Sequence, residues 1–173
     1  MSLKRYAYIY LLIIMLTGCA TGYFCLDGEP KVKFKRIGFD FANISNPFWL
    51  TQDYIDNSWI VIHRLRSGDI LPRGKTVIRD DMTSKEIKSL LIESVNWRKG
   101  FVLEKDVETK VAQIPACKIY YSFSEDEDKK GVSYGFQKGA WFYNIWFLAD
   151  KEKYYDDGIQ KFEEVVQSFE IID

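Results

Sequence analysis

His63 is the only imidazole in the chain, and nucleophilic catalysis needs a base within hydrogen-bond reach of a hydroxyl or thiol. It alternates with Trp59 and Val61 in a run rich in β-branched residues, which is the setting of a half-buried strand histidine and not of a catalytic base. No Gly-x-Ser-x-Gly elbow surrounds any serine, and Cys117 has no neighbour in sequence that would activate its thiolate. The carboxylate runs are no better arranged. Ser124-Glu-Asp-Glu-Asp-Lys-Lys130 lacks the alternating ligand spacing and bidentate terminal Glu of a calcium loop, and reads as a charged hairpin loop. Asp80-Asp81 stands just ahead of a helix start, where negative charge is favourable, and Asp156-Asp157-Gly158 reads as a helix boundary. Neither Cys-x-x-Cys spacing nor a glycine loop followed by Lys-Ser/Thr occurs. The expectation is a domain with no catalytic residue, no metal ligands and no cofactor.

Aromatic content is the unusual quantity, at 16% of residues. Trp141, Phe142, Trp146, Phe147 and Phe162 fall at periodic positions and are expected to fill the core. Phe48, Trp49, Tyr54, Tyr120, Tyr154 and Tyr155 are less periodic. Of these, Phe48, Trp49, Tyr54, Tyr154 and Tyr155 are the candidate interaction surface, since aromatics gathered on one face form partner interfaces or line apolar grooves. Ordinary packing at a sheet edge is the competing explanation for each one individually.

The elements that would position these residues are written unevenly along the chain. Val32 to Phe41 is a candidate first strand, Asn43 to Asn57 carries turn residues, and Trp59 to Leu65 is short and β-branched, which predicts a strand. The spacing of Ile87, Leu90, Leu91 and Val95 predicts a helix over Ser84 to Trp97. Thr83 and Glu86 fit a capping box at its start, and Gly100 suits the left-handed residue beyond its end. Four strands are predicted next, at Phe101 to Thr109, Gln113 to Phe123, Val132 to Phe136 and Ala140 to Leu148, with Gln137-Lys138-Gly139 as a hairpin turn. The last strand is apolar on both sides except at Asn144, so it should be covered on both faces. Asp150 to Ser168 reads as a closing helix, kinked or restarted at Asp156-Asp157-Gly158, with its apolar stripe on Ile159, Phe162, Val165, Val166 and Phe169.

The chain's start carries Lys4 and Arg5 ahead of an uncharged apolar stretch from Tyr6 to Leu16. That is the order of a secretory signal, and the stretch is shorter than the roughly 20 residues that span a bilayer. Leu16-Thr17-Gly18-Cys19 resembles the lipobox of bacterial lipoproteins. The resemblance implies cleavage before Cys19 and lipid on its thiol and on the new amine; a plain secretory peptide and an uncleaved membrane helix are the alternatives. Two or three acyl chains make such an anchor stable. In that family Ala20 in place of Asp implies outer-membrane sorting, on the periplasmic side, in a cell with two membranes.

The organisation expected is a signal peptide over 1–18, a lipidated tether over 19–31 and a single globular domain over 32–173. Removing the first 18 of the 173 residues leaves a length that suits one domain. With 24 basic and 25 acidic residues in the whole chain there is no nucleic-acid footprint. The one basic run, Lys31 to Arg36, reads as a strand edge protected by lysine, with contact to anionic headgroups as the alternative. Cys25 and Cys117 would be free to bond in an oxidising compartment, but a buried free thiol at Cys117 is the favoured reading.

From residue 58 to 172 the order of strand, strand, aromatic hairpin and closing helix, ending Phe162-Glu-Glu-Val-Val-Gln-Ser-Phe169, resembles the PsbP-like family and its bacterial relatives such as the DcrB-type lipoproteins. Ile114-Pro115-Ala116 also looks like that family's turn before a central strand. The resemblance implies an α+β fold with an antiparallel sheet packed between helices, a PsbP-like α/β/α sandwich. It implies no shared catalytic residue, and most members are accessory or assembly proteins. The function expected is therefore a membrane-anchored, extracytoplasmic, non-enzymatic protein-binding or assembly module of the cell envelope. It would touch the membrane through lipid on Cys19 and an envelope protein through its domain. A carrier or sensor of an apolar or lipidic small molecule is the alternative, and it requires an aromatic pocket.

Overall fold

A strand with two apolar faces needs a layer on each, and the fold is built around that requirement. The computed structural model describes residues 23–26, 30–35, 51–55, 58–125, 127–151 and 155–172. Its strands are β1 (Tyr23–Leu26), β2 (Lys31–Lys35), β3 (Thr51–Ile55), β4 (Ser58–Arg66), β5 (Val102–Val111), β6 (Ile114–Ser124), β7 (Asp128–Lys138), β8 (Trp141–Asp150) and β9 (Glu170–Ile172). The helices are α1 (Ser84–Val95) and α2 (Tyr155–Gln167). A six-stranded antiparallel sheet runs in the order β3-β4-β8-β7-β6-β5, and a three-stranded sheet in the order β1-β2-β9.

The doubly apolar strand β8 lies inside the large sheet, between β4 and β7. Its Tyr143, Ile145, Phe147 and Ala149 pack with Phe162, Val165 and Val166 of α2, with Phe169 just beyond the end of that helix, and with Val32 and Phe34 from the small sheet. Phe169 ties these layers together, with its ring 5.5 Å from those of Phe136 and Tyr143 and 6.3 Å from that of Phe34. On the opposite face Phe142 and Leu148 pack with Leu90 and Leu91 of α1 and with Leu71 and Ile78 of the segment before it. Burial of about a dozen large side chains on each side, at roughly 1.5–3 kcal/mol each, supplies the driving force.

Several predicted elements form as expected. Helix α1 carries the full capping box, with Thr83 Oγ1 accepting from Glu86 N–H and the Glu86 carboxylate accepting from Thr83 N–H at 2.8 Å. Gly100 takes the left-handed conformation at φ 69°, and Gly139 does so at φ 57° in the β7–β8 turn. Cys117 is a buried free thiol, its pKa raised by burial.

Other elements differ. Tyr23–Leu26, expected in the tether, pair with β2, with Leu26 opposite Val32. Thr51–Ile55, inside a segment expected to turn, form an edge strand with Tyr54 opposite Trp59. Gln52 and Asp53 hide its alternation, because an edge strand tolerates polar residues. Strand β7 extends back to Asp128, past lysines and Gly131 that lack strand propensity. The closing helix starts at Tyr155 and not at Asp150, which ends β8. It also runs through Gly158 without a break. Gly158 is needed for packing: a β-carbon there would strike the ring of Phe147, standing 2.9 Å from Cε2. The three residues of β9 are too short to show a period. The signal segment and Cys19 lie outside the described residues.

Candidate functional site

Helix α1 rests on β5, β6 and β7, and a glycine sets how closely. A β-carbon on Gly135 would stand 2.9 Å from Ile87 Cγ2 and from Leu91 Cδ2, so the bare backbone lets the helix settle onto the sheet. Twelve residues make a helix of about 18 Å, too short to cover six strands. The segment between β4 and α1 covers the Leu65 and Phe142 end of the remaining surface. The other end, over β4 and β8, stays open as a cleft of about 640 Å³.

Trp59, His63, Asn144, Trp146, Leu148 and Tyr121 form the cleft floor. They share one sheet face because the register sets Trp59 opposite Leu148 and His63 opposite Asn144. One wall is the C-terminal end of α1 with Trp97 and Arg98; another is Pro72 and Arg73. The β6–β7 hairpin supplies Phe123, Glu125, Glu127 and Lys129 at the mouth.

Pro72 and Arg73 are held in place by a carboxylate clamp. Glu93 of α1 accepts from the backbone N–H of Lys75, from Thr76 N–H at 3.1 Å and from Thr76 Oγ1 at 2.6 Å. These bonds, the Thr76 hydroxyl foremost, pull the Glu93 pKa below the usual carboxylate range. The preceding turn closes with Gly74 N–H donating to Leu71 O at 2.8 Å.

The floor carries no charge at neutral pH. His63 is 4% exposed, and burial pulls its pKa down to about 3, so the imidazole is neutral. Its ring meets Trp146 edge-on at 6.3 Å. Asn144 is also buried, and its Oδ1 accepts from Ser133 Oγ at 2.6 Å. A neutral buried histidine supported by apolar neighbours is poorly suited to act as a base. Among the described residues no group of three or more His, Cys, Asp and Glu side chains is placed to hold a metal ion.

Of the candidate aromatic surface, Tyr155 is the residue whose side chain is described, and it does not line this site. Phe48, Trp49 and Tyr154 lie outside the described residues, and Tyr54 lies on edge strand β3. Tyr155 is a correction: it is 8% exposed and packs on Phe147 at 5.9 Å, on the face of the sheet opposite the cleft. The α2 face holds it because it opens the helix directly above β8. The cleft uses Trp59, Trp97 and Trp146 instead, residues whose periodicity or helix-end position reads as plain packing. A signal was present in the sequence, since one short helix was available to cover one whole face of a sheet whose strands were apolar on both sides.

The fold is α+β, an antiparallel sheet with helices on both faces, and it carries a cleft lined by aromatic rings and open to solvent. No family model and no curated protein sequence matches the chain. The fold is similar to the solution structure of cyanobacterial PsbP from Synechocystis, at 12% identity and a TM-score of 0.58, over 87% of this chain and 93% of that one. It is also similar to a protein of unknown function from Pseudomonas aeruginosa, at 10% identity and a TM-score of 0.53, over 84% and 94% of the two chains. At such identities the likeness establishes the fold. Among the described residues no helix is long and apolar enough to cross a membrane.

Proposed function

We propose that the chain is a lipid-anchored, extracytoplasmic lipoprotein of the cell envelope whose domain acts by binding, without catalysis, and takes a small apolar molecule into the cleft beside α1. The cleft carries this reading. Its volume of about 640 Å³ falls in the range of ligand sites, roughly 300–1,000 Å³, and indole rings flank an uncharged floor. The anchor rests on the resemblance of Leu16-Thr17-Gly18-Cys19 to a lipobox, which would keep the site within reach of the membrane. Sequence alone favours an envelope protein as the partner. Burial of Tyr155 weakens the aromatic face meant to receive it, and the cleft favours the carrier or sensor reading.

The test uses full-length protein in phosphatidylcholine nanodiscs and the neutral fluorophore N-phenylnaphthylamine. Saturable enhancement beyond that of empty nanodiscs, lost in Trp146→Ala, is the expected result. Enhancement no greater than that of empty nanodiscs, from protein with a native circular-dichroism spectrum, would sink the cleft reading. The anchor is tested separately: Cys19→Ala should move the chain out of the membrane fraction, and an unchanged distribution would refute lipidation at that residue.

A further inference from the structure

The mouth of the cleft carries a cation held in an unusual backbone conformation. Arg73 has φ 63° at the third position of the Leu71–Gly74 turn, after Pro72, where a positive φ ordinarily selects Gly or Asn. A non-glycine residue there is strained, and such strain concentrates at ligand clamps and switch regions. The conformation sets the Arg73 guanidinium carbon 3.7 Å from the ring centroid of Trp97. The Glu93 clamp on Lys75 and Thr76 holds the same loop against α1.

The other mouth cations already have carboxylate partners. Arg98 pairs with Glu125 at 3.1 Å, and Lys129 pairs with Glu127 at 3.0 Å and with Asp150. No carboxylate among the described residues pairs with Arg73. Two carboxylates meet the one ammonium of Lys129, whereas the unanswered positive charge stands on the Trp97 wall. The floor between Trp59 and Trp146 carries no formal charge, since His63 is neutral.

We propose that the occupant of the cleft is a single-chain amphiphile with an anionic head group, its apolar body lying on Trp59 and Trp146 and its head received by Arg73 above Trp97. This rests on the reading of the cleft as a ligand site and adds to it the class of ligand and the residue that selects it. Arginine suits this role because its planar fork donates two parallel hydrogen bonds to a carboxylate or phosphate while its face stays stacked on an indole. Fatty acids and lysophospholipids share this chemistry.

The experiment compares ω-bromoundecanoate with ω-bromoundecanol, matched in chain length, on the full-length protein in phosphatidylcholine nanodiscs. Bromine quenches tryptophan only at contact, so quenching reports entry into the cleft. The carboxylate should bind about tenfold tighter than the alcohol, as a charge-assisted hydrogen bond allows. Arg73→Gln should reduce the carboxylate to the level of the alcohol, and Arg73→Lys should recover part of the difference. A lysophosphatidylglycerol competitor that displaces the carboxylate more strongly than decanoate does assigns the head to phospholipid, and the reverse order assigns it to fatty acid. Equal affinities for acid and alcohol, indifferent to Arg73→Gln, would overturn the proposal while leaving the cleft a ligand site. Tighter binding of ω-bromoundecyltrimethylammonium would overturn it too. If neither acid nor alcohol quenches, the cleft reading itself fails.

Discussion

Gly131 lies directly opposite Tyr121 across the β6–β7 pair, and a β-carbon at Gly131 would stand 2.6 Å from both Cε2 and Oη of that tyrosine. The absent side chain leaves room for the Tyr121 ring to fold over β7, where it forms part of the cleft floor and stacks with Phe123 at 6.4 Å. Gly131→Ala must push this fully buried ring aside. Overpacking of this kind destabilises by about 1–3 kcal/mol, a fall of roughly 2–4 °C in Tm per kcal/mol for a domain of this size. Calorimetry checks the value, and an unchanged Tm would mean the ring moves freely.

Glu93 holds the loop that carries Arg73, so Glu93→Gln should loosen the loop and leave the core intact. Amide exchange at Lys75 and Thr76 should accelerate while exchange in β8 stays as it was. Because the Glu93 pKa is lowered in the folded protein, its contribution is present above the ordinary carboxylate range and is lost as pH falls through the lowered value. Acidification of the wild type should therefore lower the protection factors of the same two amides relative to those of β8. Uniform acceleration throughout the domain would contradict a local clamp.

His63 makes folding sensitive to acid. The unfolded chain takes up a proton near pH 6.5, whereas the folded chain resists until about pH 3, so the unfolded state binds more protons between the two values. Stability from this source is complete above pH 6.5 and is lost as pH falls toward 3. The loss reaches on the order of 3 kcal/mol by about pH 4. His63→Leu should remove that part of the slope in urea unfolding, and parallel pH profiles for the two proteins would refute the assignment.

Thr83→Ala removes the cap of α1 and should lower stability by about 1 kcal/mol. Since the Thr83 hydroxyl also donates to Glu86 Oε2 at 2.9 Å, the Glu86 pKa should rise part of the way toward its ordinary value in the variant, the bond from the backbone N–H remaining. Carbon-detected NMR titration of the Glu86 carboxyl measures this directly.

The capping box, the Gly139 turn and the two-sided apolarity of β8 were legible in the sequence because each depends on neighbours a few residues away. A threonine three residues before a glutamate meets it within one helical turn, whatever the rest of the chain does. The polar edge strand β3, the three residues of β9 and the extension of β7 past Gly131 were not legible in this way. Their place is set by partners on other strands, as Lys33 opposite Glu170 and Gly131 beneath Tyr121 illustrate.

The site divides along the same line. By itself the sequence determined the local elements and the two apolar faces of one strand. The tertiary structure decided which aromatic rings stay in the core and which line a cleft. The position of α1 over Gly135 leaves Trp59 and Trp146 half-covered, and a left-handed turn carries Arg73 onto Trp97. Helix length, close approach and backbone handedness act together there across residues from 59 to 148, and no local spacing encodes their sum.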